Sequence, residues 1–69
     1  MDVRRHFGRA VQKLRLEKGW SQEELADRAG LHRTYISGVE RGVRNPTLTA
    51  VMKIAKALAA SPAALLPER

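Results

Sequence analysis

The sequence predicts an all-α domain of about five short helices, and three observations carry that expectation. Apolar residues recur at spacings of three and four, with no strand-like alternation, internal repeat or low-complexity tract. Glycine or proline punctuates the ends of these periodic segments. The chain has 69 residues and no cysteine, so regular helix packing or a second copy must supply the stability that disulfides give other small scaffolds. One domain over residues 1–69 is expected, because a domain takes roughly 100–200 residues.

Val3, Phe7, Val11 and Leu14 mark the apolar stripe of a first helix ending near Gly19, with Arg4, Arg5, Arg9, Gln12 and Lys13 on the polar side. A second helix opens at Ser21. Ser21 is a cap, Glu24 closes a capping box three residues on, and Trp20 with Leu25 fills the hydrophobic-staple positions. This helix turns Leu25, Ala26 and Ala29 inward and stops at Gly30, which suits a left-handed terminal position. After Gly30-Leu31-His32 a third helix runs from Arg33 to Arg41 and ends at Gly42, with Ile36 and Val39 inward and Leu31 packing from the turn. Residues 42–46 form a loop, since Pro46 biases Asn45 away from helix. Thr47 starts a fourth helix with Leu48, Val51, Ile54, Ala55 and Leu58 on one face. Ser61-Pro62 begins a short fifth, with Leu65 and Leu66 as its apolar contact.

The charge narrows the function. Thirteen Lys and Arg against seven acids give +6. Residues 1–20 hold six bases and two acids, whereas residues 21–31 hold one base and three acids, so the excess is uneven. A small basic domain suits a polyanionic partner. Thiol catalysis and thiolate metal sites are excluded by the absence of cysteine, and His6 and His32 are too far apart in sequence to suggest a metal pair. No Gly-rich phosphate loop is present, and a chain of this size has little room for a substrate pocket. The expectation is a protein that is not an enzyme, with no metal, no cofactor and no small-molecule ligand. The stretch 57–66 is too short and too interrupted to span a bilayer, and Met1-Asp2-Val3-Arg4-Arg5 does not open as a secretory leader. The expected compartment is the cytoplasm, with no membrane partner.

Two helices of about nine residues joined by a three-residue turn containing glycine have the geometry of a helix-turn-helix, here over about residues 21–41. Ala26 is small where the second helix crosses the first. Arg33, Thr34, Ser37 and Arg41 share a polar, solvent-facing side of the second helix with Gly38. A helix so built fits the major groove of DNA, its N-terminal residues at the base edges.

Ser21-Gln22-Glu23-Glu24-Leu25-Ala26, followed by Gly30, Ile36, Glu40-Arg41-Gly42 and Asn45-Pro46, resembles the phage-repressor and Cro-like helix-turn-helix family over about residues 7–66. The run 31–37, Leu-His-Arg-Thr-Tyr-Ile-Ser, with Arg41-Gly42 and Arg44-Asn45-Pro46, is similar to the controller proteins of restriction–modification systems. The resemblance implies a compact five-helix repressor-like domain and a homodimeric transcription regulator that binds a near-palindromic operator in double-stranded DNA. It implies base reading by Arg33, Thr34 and Ser37, and DNA-backbone contacts from Gln22, Tyr35, Arg41, Arg44 and Asn45. It also implies an ion pair between Arg15 and Glu40. The apolar end at Leu65 and Leu66 suggests a subunit contact, beside the simpler reading that these residues close the core.

Blander readings stand beside these. Tyr35 fits a core-edge aromatic, His32 a cap or turn residue, and Arg4, Arg5, Arg9 and Lys13 a solvated helix face. The competing function is an antitoxin-like, protein-binding adaptor with secondary DNA binding. It ranks second because the sequence has no tail beyond Arg69 for such a partner.

Overall fold

The computed structural model describes residues 2–66; Met1 and residues 67–69 lie outside it. The described residues form α1 (Val3–Glu17), α2 (Gln22–Ala29), α3 (Arg33–Glu40), α4 (Leu48–Ala57) and α5 (Pro62–Leu65). Helix α3 packs on both α1 and α2, α4 packs on α2, and α5 bridges α1 and α4. Phe7, Val11, Leu25, Ile36, Val39, Ile54 and Leu65 are the large, fully buried side chains of the shared core. Among the described residues no helix is long and apolar enough to cross a membrane.

Side-chain caps start four of the five helices. Asp2, Ser21, Thr47 and Ser61 each accept a hydrogen bond from a backbone N–H of the first turn. His32 holds the corresponding place before α3 without a side-chain bond. The first four helices also end alike. One residue past α2, and two past α1, α3 and α4, the chain turns left-handed, and the next N–H reaches back into the last turn: Trp20 to the Arg15 carbonyl, Leu31 to Ala26, Val43 to Gly38 and Ala60 to Ala55. Three of these left-handed residues are glycines. The fourth is Ala59, at φ 56°, which bears the cost of a Cβ in that region.

Two apolar stripes are rotated from where hydropathy puts them. In α1, Val3 is exposed and Leu14 half-buried, while Gly8 and Arg15 join Phe7 and Val11 in the buried face. Gly8 is buried because the end of α3 crosses it. A Cβ there would land on the Val39 carbonyl oxygen and within 2.8 Å of the Glu40 carbonyl oxygen. In α4, Leu48 is 79% exposed, and the buried face is Ala50, Val51, Ile54 and Ala55, continued by Leu58. Ala50 takes the buried place in the first turn of α4, and Leu48 points to solvent.

Two substitutions test this packing by urea denaturation. Ala59→Gly is expected to stabilise the protein by about 0.5–1 kcal/mol through relief of the left-handed Cβ. Gly8→Ala is expected to destabilise it by about 1–3 kcal/mol or more, because the obstruction is backbone and cannot swing aside.

Candidate nucleic-acid interface

Helices α2 and α3 are joined by Gly30-Leu31-His32. Gly30 has φ 68° and donates to the Asp27 carbonyl at 3.3 Å; Leu31 donates to the Ala26 carbonyl at 2.9 Å. This double closure fixes the direction in which α3 leaves, while half-buried Leu31 plugs the gap and buried Ala26 keeps the crossing close. At the other end of α2, Ser21 Oγ accepts the Glu24 N–H at 3.0 Å. The reciprocal half of the expected capping box does not form. The Glu24 carboxylate accepts instead from Arg28 Nε one turn on, at 2.7 Å. Arg28 also lies over the Trp20 ring, 4.3 Å from its centroid, with Lys18 Nζ at 5.3 Å.

Beneath this unit lies a buried ion pair. Arg15 Nε donates to Glu40 Oε2 at 2.7 Å and Nη2 to Oε1 at 2.9 Å, while Nη1 donates to the Trp20 carbonyl at 2.7 Å. Gln22 Nε2 adds a bond to Glu40 Oε1 at 3.0 Å. Donation to the Glu40 carboxylate raises the pKa of the Arg15 guanidinium above its ordinary value, outweighing the opposite effect of burial. No buried side-chain nitrogen or oxygen among the described residues is left without a partner. Four pieces of chain are thereby tied together: α1, the α1–α2 turn, the first residue of α2 and the last of α3.

Above the pair, Gln22, Arg33, Thr34, Ser37 and Arg41 line one shallow depression. Arg33, Thr34 and Arg41 are exposed; Gln22 and Ser37 are half-buried. Gln22 has its amide nitrogen committed to Glu40, which leaves its oxygen and backbone N–H as the groups at the surface. Gly38, expected on the solvent side, is buried, because Arg44 folds across it. Tyr35 is half-buried against the core. Its hydroxyl accepts the Thr47 N–H at 3.3 Å, and the Arg44 guanidinium lies 4.9 Å from its ring centroid. Asn45 is exposed in the following loop. Leu65, expected at a subunit contact, is fully buried in its own chain and has no surface to offer; Leu66 beside it is 39% exposed.

Glu40 is the single acid in residues 32–46, and it is buried and neutralised. The surface of α3 and its loop therefore presents Arg33, Arg41 and Arg44, none of them in an ion pair among the described residues. The exposed acids Glu23, Glu24 and Asp27 lie on α2 instead. Among the described residues no group of three or more His, Asp or Glu could hold a metal ion. Sequence reasoning missed Gly8, the Gln22–Glu40 bond and the Arg44–Tyr35 contact. A glycine in the middle of a helix was the available signal for the first; the other two depend on tertiary placement.

These features define a helix-turn-helix protein, and comparison with known proteins agrees. The helix-turn-helix family model matches residues 11–65, and the chain belongs to that family. It is 50% identical over 66 residues to the control protein C.BamHI of Bacillus amyloliquefaciens, covering 94% of this chain and 82% of that one. Its structure resembles that of the restriction–modification controller protein C.AhdI from Aeromonas hydrophila, with a TM-score of 0.88, 46% identity, and coverage of 91% of this chain and 96% of that one. It is also similar to the controller protein C.Esp1396I, solved as a tetramer in complex with its natural 35 base-pair operator. There the TM-score is 0.85 at 40% identity, over 94% of this chain and 86% of that one.

Removing one partner of a buried pair leaves an uncompensated charge. Glu40→Ala is therefore expected to cost about 3–5 kcal/mol in chemical denaturation. Joint replacement, Arg15→Met with Glu40→Leu, is expected to recover most of that loss. Additive losses in the double variant would show that the two side chains act independently.

Proposed function

We propose that this chain is a sequence-specific DNA-binding transcription regulator of the controller type, acting as a cytoplasmic homodimer on a near-palindromic operator. The observation that carries the reading is the gathering of Gln22, Arg33, Thr34, Ser37 and Arg41 on one polar surface, on a helix whose sole acid is buried. In this reading α3 enters the major groove. Arg33 and Thr34, at its N-terminal end, read base edges, and Ser37 does so one turn on. An arginine there can bond guanine O6 and N7 together. Gln22, Arg41, Arg44 and Asn45 surround these positions and hold the sugar-phosphate backbone, with Tyr35 of the expected set packed behind Arg44. Two copies place their α3 helices about 34–36 Å apart, one helical turn of DNA. Leu66, just past the fifth helix, rather than Leu65 within it, has surface available for the second copy.

Titration of a labelled operator and a scrambled duplex at several salt concentrations tests the assignment. Arg33→Ala is expected to weaken the operator by about 1–3 kcal/mol and flatten the operator-to-scrambled ratio. Arg41→Ala is expected to weaken both duplexes alike and to reduce the slope of log K against log salt by about 0.9 for each phosphate the variant leaves unneutralised. A wild-type protein with a shallow slope and no sequence preference would support a protein-binding adaptor instead.

A further inference from the structure

We propose that Tyr35 is a positioning residue for Arg44, which it holds in place to meet one DNA phosphate beside the recognition helix. The inference rests on the DNA-binding reading above and adds how one phosphate-binding group is prepared before DNA arrives.

Arg44 stands in a loop, yet its backbone and side chain are both supported. The Val43 and Arg44 N–H groups donate to the same Gly38 carbonyl, at 3.1 and 3.2 Å, so the chain doubles back onto α3. The side chain then lies over Gly38. The stem is in reach of that position, since a Cβ built on Gly38 would meet Arg44 Cβ at 3.4 Å and Nε at 3.5 Å, ordinary contact distances. The guanidinium ends 4.9 Å from the Tyr35 ring centroid. That ring is itself anchored twice, by packing against the core and by its hydroxyl on the Thr47 N–H at the start of α4.

This arrangement distinguishes Arg44 from its neighbours. Among the described residues neither Arg33 nor Arg41 lies over an aromatic ring. A free arginine loses side-chain entropy when a phosphate fixes it, whereas one already ordered meets that cost in folding. Contact with a ring occupies the face of the guanidinium and leaves the N–H groups in its plane to donate. Arg44 is exposed, so those donors have access to a ligand. The chemistry that fits is a single anionic oxygen group at the edge of the α3 surface, met in duplex DNA as a backbone phosphate.

The test is a double-mutant cycle on operator binding, with thermal melts to establish folding. Arg44→Ala is expected to lower affinity about tenfold. Tyr35→Leu is expected to lower it about three- to tenfold and to reduce the salt slope by about 0.9, the value of one phosphate. In an Arg44→Ala background Tyr35→Leu is expected to change affinity by less than about twofold. Tyr35→Phe keeps the ring, so it serves if Tyr35→Leu does not fold; it is expected to show a smaller loss with the same dependence on Arg44. In the free protein, the upfield ring-current shift of the Arg44 δ-protons is expected to vanish in Tyr35→Leu. Equal losses in both backgrounds would mean that Tyr35 acts by itself, and a gain in affinity would mean that the ring sequesters Arg44; either overturns the proposal. Arg44→Ala without effect, while Arg33→Ala still weakens binding, would overturn it and leave the DNA-binding reading intact. A wild-type protein that binds no duplex would remove both.

Discussion

Arg15 and Glu40 meet through two hydrogen bonds, and the remaining polar valences of the pair run to the Trp20 carbonyl and the Gln22 amide. Moving two charges out of water is costly, and a buried pair is worth its place only when the geometry is good and every donor and acceptor is met. Here they are met. Because the pair spans α1, the turn after it, the start of α2 and the end of α3, a change at either residue alters how α3 is presented as well as how stable the fold is. Gly8 makes the arrangement possible, since the end of α3 comes close enough for Glu40 to reach Arg15 only where α1 has no side chain.

The same pair shapes the electrostatics of the outer surface. By neutralising Glu40 inside the protein, Arg15 leaves α3 and its loop with an outward charge that is wholly basic. Among the described residues of the helix-turn-helix unit, the exposed acids Glu23, Glu24 and Asp27 all lie on α2. Such separation of charge within one small unit favours a single orientation toward a polyanion and disfavours the reverse. The helix ends work to the same purpose. Repeated left-handed closures make short helices stop sharply and fix the angles between them, so two bases and two hydroxyls line one depression.

Local chemistry was the most legible part of the sequence. Ser21, Thr47 and Ser61 as caps, Gly30 and Gly42 as terminators and Pro62 at the head of α5 are governed by near neighbours, and they read directly. The five-helix architecture followed from spacing. What hydropathy concealed were positions decided by a distant partner. Arg15 is buried because Glu40 stands 25 residues away, and the α1 stripe rotates accordingly. Leu48 points outward and Leu65 inward because the packing of α4 on α2 and of α5 on α1 decides their placement, not their own apolar character. Gly38 looked exposed on the helical wheel, yet a loop residue that the wheel does not include covers it. Likewise Ser21 and Glu24 had the spacing of a capping box, but an arginine one turn on competed for the carboxylate.

The central claim is that one surface, built on α3 and held by the Arg15–Glu40 pair, is where duplex DNA binds. The most direct test is to follow the amide spectrum of the isotope-labelled protein while adding an operator duplex recovered by selection from random sequence. The account predicts that the largest shifts fall at Gln22, Arg33, Thr34, Ser37, Arg41 and the 43–45 loop, with the outward face of α2 nearly unmoved. Shifts centred on Glu23, Glu24 and Asp27, or on the exposed side of α4, with α3 unchanged, would contradict it.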